Sequence, residues 1–320
     1  MKEKLIWIIY VARDFMRRAV NILMKRLKIK YAFNIKYKNK QILQLDETQN
    51  KIKELILAGE PAMVSRFGAF EARCIMQAIG IKQGIIKKFK KDILYRINFN
   101  AGVFPYGQEM ALRFGEISKS AAKQVDLLGE WSVSSHDYLV NYACSPDVVL
   151  TKLGNLEPYY SEFPWTAALK GKRVLVVHPF VETIKAQYEK REMLFDNPDM
   201  LPDFELKLLR SVQTIAGEND ARFDNWEHAL EYMYQEAMKI DFDVALIGCG
   251  AYGMPLAAKL KESGKIAIHL GGATQLLFGI KGARWDNNSE ISKLYNAHWV
   301  RPMKSETPEF AKKVEGACYW

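Results

Sequence analysis

Cysteine is scarce and scattered: Cys74, Cys144, Cys249 and Cys318 form no CxxC pair. That excludes a zinc ribbon or a disulfide framework and leaves a small buried apolar side chain as the expected role of each. Long apolar runs are missing too. The longest strongly apolar uncharged run, Leu5 to Ala12, has eight residues, against the ~20 that a membrane-spanning helix needs. Arg13, Arg17 and Arg18 follow it instead of a small-residue cleavage site, so no secretory signal is read and the expected compartment is cytoplasmic. No internal repeat or low-complexity tract is present. The body also lacks an excess of charge. Residues 1–30 carry nine Lys/Arg against Glu3 and Asp14, which is +7 of the total +9 and leaves 9 − 7 = +2 for the rest. A nearly neutral body excludes a nucleic-acid partner on charge grounds.

The charge that is present sits among apolar residues. Between Arg13 and Arg26 lie Phe15, Met16, Val20, Ile22, Leu23 and Met24, with Trp7 and Tyr10 upstream. This pattern predicts a basic amphipathic helix, the kind that lies on an anionic membrane surface. The alternative is a helix packed on the body or on a second subunit. Residues 1–40 are read as this membrane-associating segment, peripheral on the inner face of the cytoplasmic membrane, and residues 41–320 as the body. Residues 31–45 read as a polar connection.

Along the body, helical spacing predicts helices over 46–58, 70–79, 111–128, 223–240 and 254–262. Short β-branched runs predict buried strands at 62–64, 173–178, 243–247 and 265–270. Strands alternating with helices imply an α/β fold, a Rossmann-like, mainly parallel sheet flanked by helices. The chain is long enough to bury a full core.

Two loops leave the ends of these strands. Gly248-Cys249-Gly250-Ala251-Tyr252-Gly253 fits GxGxxG, with a strand before it and a helix after it. Its glycines would let backbone N–H groups and a helix N-terminus approach a diphosphate. The alternative is tight strand–helix packing. A dinucleotide site needs an acid at the end of the next strand to hold a ribose, and here stands His269-Leu270-Gly271-Gly272. That absence argues against a nicotinamide-dependent oxidoreductase. Thr274 and Gln275, in the second loop, are candidates for bonds to sugar or phosphate. His178, at the end of an earlier strand, is read either as a phosphate ligand or general base, or as a structural strand-end histidine.

The stretch Ser65-Arg66-Phe67-Gly68-Ala69-Phe70-Glu71 stands where a strand hands over to a helix. Arg66 has the planar fork suited to phosphate oxygens, Gly68 permits a tight turn, and Glu71 falls in the first helical turn. A structural ion pair between Arg66 and Glu71 is the other reading. This stretch resembles the Arg-Phe-Gly-Asp-Gly-Glu signature of the GT-D class of bacterial glycosyltransferases, in which the Asp-x-Glu pair is associated with metal and donor. Here Ala69 stands at the Asp position and Phe70 at the Gly. Asn100 to Pro105, Val177 to Phe180, Gly248 to Pro255 and His269 to Trp285 look like the same group, and the likeness runs over about residues 46–320. The resemblance implies a GT-D-like fold and a glycosyltransferase using a nucleotide-sugar donor, a UDP-sugar, with a glycan or glycolipid acceptor in cell-surface polysaccharide assembly. It implies Mg2+ or Mn2+ as cofactor, with Glu71 as metal or donor ligand and Ala69 as one ligand lost. It also implies that Arg66, Gly68, Gly248, Gly250, Gly253, Thr274 and Gln275 line the donor cleft, with Glu71 and His178 as the catalytic candidates. A binding protein that keeps the cleft without turnover is the alternative that Ala69 favours. Asp137 and Asp286 are candidate bases only as acids close to aromatic residues.

Overall fold

A computed structural model describes residues 1–29, 37, 40–131, 133–218, 220–313 and 316–320. Eight strands form one sheet: β1 (Ile42–Leu43), β2 (Ala62–Arg66), β3 (Leu127–Glu130), β4 (Val149–Lys152), β5 (Arg173–His178), β6 (Glu205–Arg210), β7 (Val244–Ile247) and β8 (Ile266–His269). Their order is β1-β4-β3-β2-β8-β7-β5-β6, and every pairing is parallel. The helices are α1 (Lys2–Arg26), α2 (Leu45–Ala58), α3 (Ala69–Lys82), α4 (Lys91–Phe99), α5 (Gln108–Ala122), α6 (His136–Tyr142), α7 (Val181–Tyr188), α8 (Trp226–Met238) and α9 (Gly253–Glu262), with short helical turns between and after them. The α/β architecture is the one expected.

A parallel sheet must be covered on both faces, and two apolar cores do this. One lies under α3, α5, α8 and α9, with Phe114, Trp226 and Leu256 fully buried. The other lies under α2, α7 and the 3-10 segment Gly271–Phe278, around Ile52, Trp165 and Phe278. Adjacent strands β5 and β7 therefore send the chain to opposite faces, through α7 and α9. Such a reversal leaves a crevice at the carboxyl ends of the strands, and His178 and Gly248 stand there.

Two expectations need correction. Helical spacing was read through to Leu128, but α5 stops at Ala122 and Leu127–Glu130 is β3. Val125, Leu127 and Leu128 are buried in the sheet, so an apolar spacing of three and four was met by a helix and a strand in succession. Within the stretch read as a connection, Ile42 and Leu43 pair with Leu150 and Thr151 as edge strand β1; residues 31–36, 38 and 39 of that stretch lie outside the described residues. Strands β4 and β6 were not foreseen. Their faces are mixed and carry Lys152, Glu205, Lys207 and Arg210.

α1 forms as expected and packs on the body. The Trp7 indole N–H donates to the Met76 carbonyl at 2.9 Å, and its ring lies against Gly80 of α3. Tyr10 meets Tyr138 and Tyr142 edge-on. Among the described residues no helix is long and apolar enough to cross a membrane.

A Cβ built on Gly253 would stand 2.2 Å from His269 Nε2, so α9 meets β8 only because this residue is glycine. Gly253→Ala is expected to lower stability by about 1–3 kcal/mol through overpacking. It should appear as a lower urea midpoint at unchanged slope; an unchanged midpoint would mean that the contact yields freely.

Candidate functional site

The carboxyl ends of β2, β8, β7 and β5 open into one cleft. Arg66, Gly68, Glu71, Trp131, His178, Gly248, Gly250, His269, Gln275 and Arg284 all stand in its wall. Arg66 is the last residue of β2, Gly68 the N-cap of α3 and Glu71 in the first turn of that helix. The Glu71 carboxylate folds back over Gly68, since a Cβ there would lie 1.9 Å from Glu71 Oε2. A larger residue there would displace the Glu71 carboxylate from this position, while the Gly68 φ of −75° is ordinary. The Arg66 guanidinium lies 5.1 Å from the centre of the Trp131 ring, a cation–π contact, and runs beside Gly271. Its Nε is buried and has no hydrogen-bond partner among the described residues. A buried donor left unpaired is costly, so the cleft wall carries an unmet demand for an acceptor.

On the other side of the cleft, Gly248 follows β7 and its N–H bonds the Val177 carbonyl at 2.9 Å. A side chain at Gly248 would strike the His178 ring, the Gly271 carbonyl and Thr274. Gly250 has a φ of +59° and opens the 3-10 turn Gly250–Tyr252 that leads into α9. The amino ends of α3 and of this turn both face the cleft, where their N–H groups favour an anion.

His178 is 2% exposed, and burial lowers its pKa from 6.5 to about 3. Its Nδ1 accepts the Phe180 amide N–H at 3.1 Å. That assigns the ring proton to Nε2 and makes the second nitrogen a hydrogen-bond donor. His269 bonds Ser65 Oγ through Nδ1 at 3.0 Å, and burial together with Arg66 lowers its pKa to about 3. Beyond the cleft wall, burial raises Glu157 to about 7, against the pull of Arg66 and a bond from Tyr159.

Three expected residues have structural duties. Gly253 is spent on the approach of α9 to His269. Thr274 is fully buried and donates to the Ile247 carbonyl at 3.2 Å. Gln275 reaches the cleft wall, but its amide nitrogen bonds the carbonyls of Ile280, Lys281 and Tyr319. Asp137 pairs with Arg13 of α1 and Asp286 with Arg301, and neither lines the cleft. Sequence reasoning missed Trp131, the residue after β3, which stands in the cleft wall with Tyr319 and Trp320. Tyr319 lies on Gly272, where a Cβ would be 2.2 Å from its ring, and its hydroxyl takes a bond from Arg284 at 3.0 Å. Trp320 donates its indole N–H to the Glu306 carbonyl at 3.2 Å. The aromatic tail is thus a wall of the cleft.

As a metal site the donor set is thin. Glu71 supplies the carboxylate of the described cleft wall, and no described group of three or more His, Cys, Asp or Glu could hold an ion. A divalent ion would take most of its ligands from water and phosphate. These residues do not fit an ion held by protein alone.

Residues 137–277 match the family model described as GT-D fold-like. This stretch is similar to the GT-D fold-like family. It contains His178, the glycine loop, Thr274 and Gln275, and it stops short of Arg66 to Glu71, which join it in space. No curated protein matches the chain. Two solved structures of domain of unknown function 1792, one described as having a distinct glycosyltransferase fold, align at TM-scores of 0.43 and 0.42 with 15% and 16% identity. They cover 73% and 72% of this chain and 79% and 78% of their own. At that identity no residue role is carried across to this chain.

Burial of the histidines ties stability to pH. His136, His178 and His269 have folded pKa values of about 3, below the ordinary 6.5. Unfolding therefore takes up protons as pH falls, and the stability present above pH 6.5 is lost between 6.5 and 3. Glu157 has the opposite sign. Its folded value of about 7 exceeds the ordinary 4.5, so its contribution is present below 4.5 and lost as pH rises through 7. Glu157→Gln is expected to raise the urea midpoint at pH 8 and leave it unchanged at pH 4; no change at pH 8 would place that carboxyl in water.

Proposed function

We propose that the cleft binds the diphosphate of a nucleotide-sugar donor, a UDP-sugar, and that the protein transfers the sugar to a hydroxyl of a glycan or lipid-linked acceptor in cell-surface polysaccharide assembly. The observation that carries this reading is Arg66. It is a guanidinium at a strand end, held over Trp131, with a buried Nε–H that lacks an acceptor. The GT-D fold-like match over 137–277 supports a glycosyltransferase-like function.

In this reading the leaving diphosphate gains negative charge as the glycosidic bond breaks. Arg66 meets that charge from one side, and the N–H groups of Gly250 and Ala251 and Nε2–H of His178 meet it from the other. Donors fixed in advance around developing charge are the largest lever of such a site. Glu71 stands at the mouth of the same pocket as the ligand of the sugar or of a Mg2+ or Mn2+ ion bound with the diphosphate. The reading extends to the inner face of the cytoplasmic membrane, with residues 1–30 as the contact. Ala69 favours a second reading, a cleft that binds donor without transfer. Against a nicotinamide site stands the end of β8, where His269 is bonded to Ser65 and no acid is present for a ribose.

UDP at 100 times its dissociation constant is expected to stabilise the full chain by about 2.7 kcal/mol, seen as a thermal shift that NAD does not give. Arg66→Ala should weaken UDP by about ten- to a hundredfold, the worth of ~1.5–3 kcal/mol for bonds to a charged group. Repeating the titration with EDTA and with Mn2+ measures the part played by metal. Glu71→Gln should abolish donor hydrolysis and transfer while UDP still binds. Full turnover in that variant would remove Glu71 from the reaction, and stabilisation by NAD alone would overturn the transferase reading.

A further inference from the structure

α1 has two faces of opposite character, and the outer one is the apolar one. Leu5, Ile8, Phe15, Met16, Ile22 and Leu23 are 47–69% exposed. Ile8, Phe15 and Ile22 recur every seven residues, so they share one side of the helix. The inner side is polar and aromatic. Asp14 is 6% exposed and bonds Arg17 Nη2 at 2.8 Å and Arg18 at 3.1 Å. It also accepts the Ser134 hydroxyl, while Arg17 donates to the Val133 carbonyl at 3.2 Å. Arg13 pairs with Asp137. Val133 and Ser134 belong to the loop that follows β3, where the Val133 N–H bonds the Trp131 carbonyl at 2.6 Å, and Asp137 stands in the first turn of α6. The Trp131 indole N–H donates to the Phe67 carbonyl at 2.8 Å, and its ring carries the Arg66 guanidinium. A chain of direct contacts thus runs from Asp14 to the cleft.

We propose that α1 couples a membrane surface to the cleft. Its outer stripe seats in an anionic bilayer, and its inner face, through Asp14 as a positioning residue, holds the Trp131 wall on which Arg66 rests, so that seating strengthens diphosphate binding. This rests on the reading of the cleft as a diphosphate site.

Charge selects the occupant. The +7 of residues 1–30 repels a second copy of the same helix and attracts anionic headgroups. Seating need not pull the helix off the body, because the groups that bind the body are on the other side. The helix is held by few buried side chains, Trp7 and Asp14, which marks an element of low local stability. A surface that binds it in its docked form raises the docked population. By linkage, donor and membrane then strengthen each other.

The test uses the full chain with vesicles of phosphatidylglycerol and phosphatidylcholine. Flotation is expected with the anionic vesicles and not with pure phosphatidylcholine, and UDP should bind several-fold more tightly on the vesicles. The double substitution Phe15→Glu, Ile22→Glu should abolish flotation with the melting temperature in solution unchanged. Asp14→Asn should still float but lose the gain in UDP affinity, and its amides at 133–139 should exchange hydrogen faster. Ser134→Ala, a milder change to the same contact, should show the same pattern in smaller degree. Equal UDP affinity with and without vesicles, or unchanged exchange at 133–139 in Asp14→Asn, would overturn the coupling. A concentration-dependent dimer without flotation would give the stripe to a second copy and overturn the membrane. If UDP binds under no condition, the donor reading fails, while the exchange and flotation results still decide whether α1 holds the loop and meets the bilayer.

Discussion

Every strand of the sheet runs the same way, and most of the rest follows from that. With one direction, all carboxyl ends gather at one edge, and each strand must return through a crossover on one face or the other. Both faces are then covered, so polar loops are expelled to the edges. At one edge the loops after β2, β5, β7 and β8 converge. Arg66 and His178 are the final residues of β2 and β5, and Gly248 is the first residue beyond β7. They belong to one cleft although they are distant in sequence.

Crowding at that edge explains the glycines better than flexibility does. Gly68, Gly248 and Gly253 each stand where a Cβ would collide with a neighbouring side chain, Glu71, His178 and His269 respectively. Only Gly250 and Gly271 in these loops need a positive φ. A pattern of spaced glycines therefore signals close approach, and here all three neighbours, Glu71, His178 and His269, stand in the cleft wall, while Gly253 also closes α9 against β8.

The sequence was legible where one physical demand acted alone. The runs at 174–177, 244–247 and 266–268 are buried on both faces, so they are apolar throughout and read as strands. Arg66 to Glu71 drew notice through its resemblance to a family signature at a strand end, since spacing alone left an ion pair and a ligand site equally open. Legibility failed where two demands overlapped. At 111–128 the spacing of apolar residues suits a helix, yet its last part enters the sheet, so Trp131 was not placed beside Arg66. β4 and β6 carry charges on a half-exposed surface and resemble loops. The roles of Thr274 and Gly253 stayed open in the sequence because a polar hydroxyl and a motif glycine look the same whether they face a ligand or the protein's own backbone. The amphipathic character of α1 was plain, but the direction of each face was not, since a helix wheel says nothing of which side meets the body.

α3 serves two neighbours at once. Its first turn carries Glu71 into the cleft, and about two and a half turns later Gly80 gives Trp7 of α1 a place to lie, with a would-be Cβ 2.6 Å from the indole. A larger side chain at position 80 would lift the N-terminal helix while leaving the far end of α3 untouched. That position is then a point of separation in descent. Relatives that keep the N-terminal helix must keep a small residue there, and relatives that lose the helix are free to fill it, so the two traits should be inherited together.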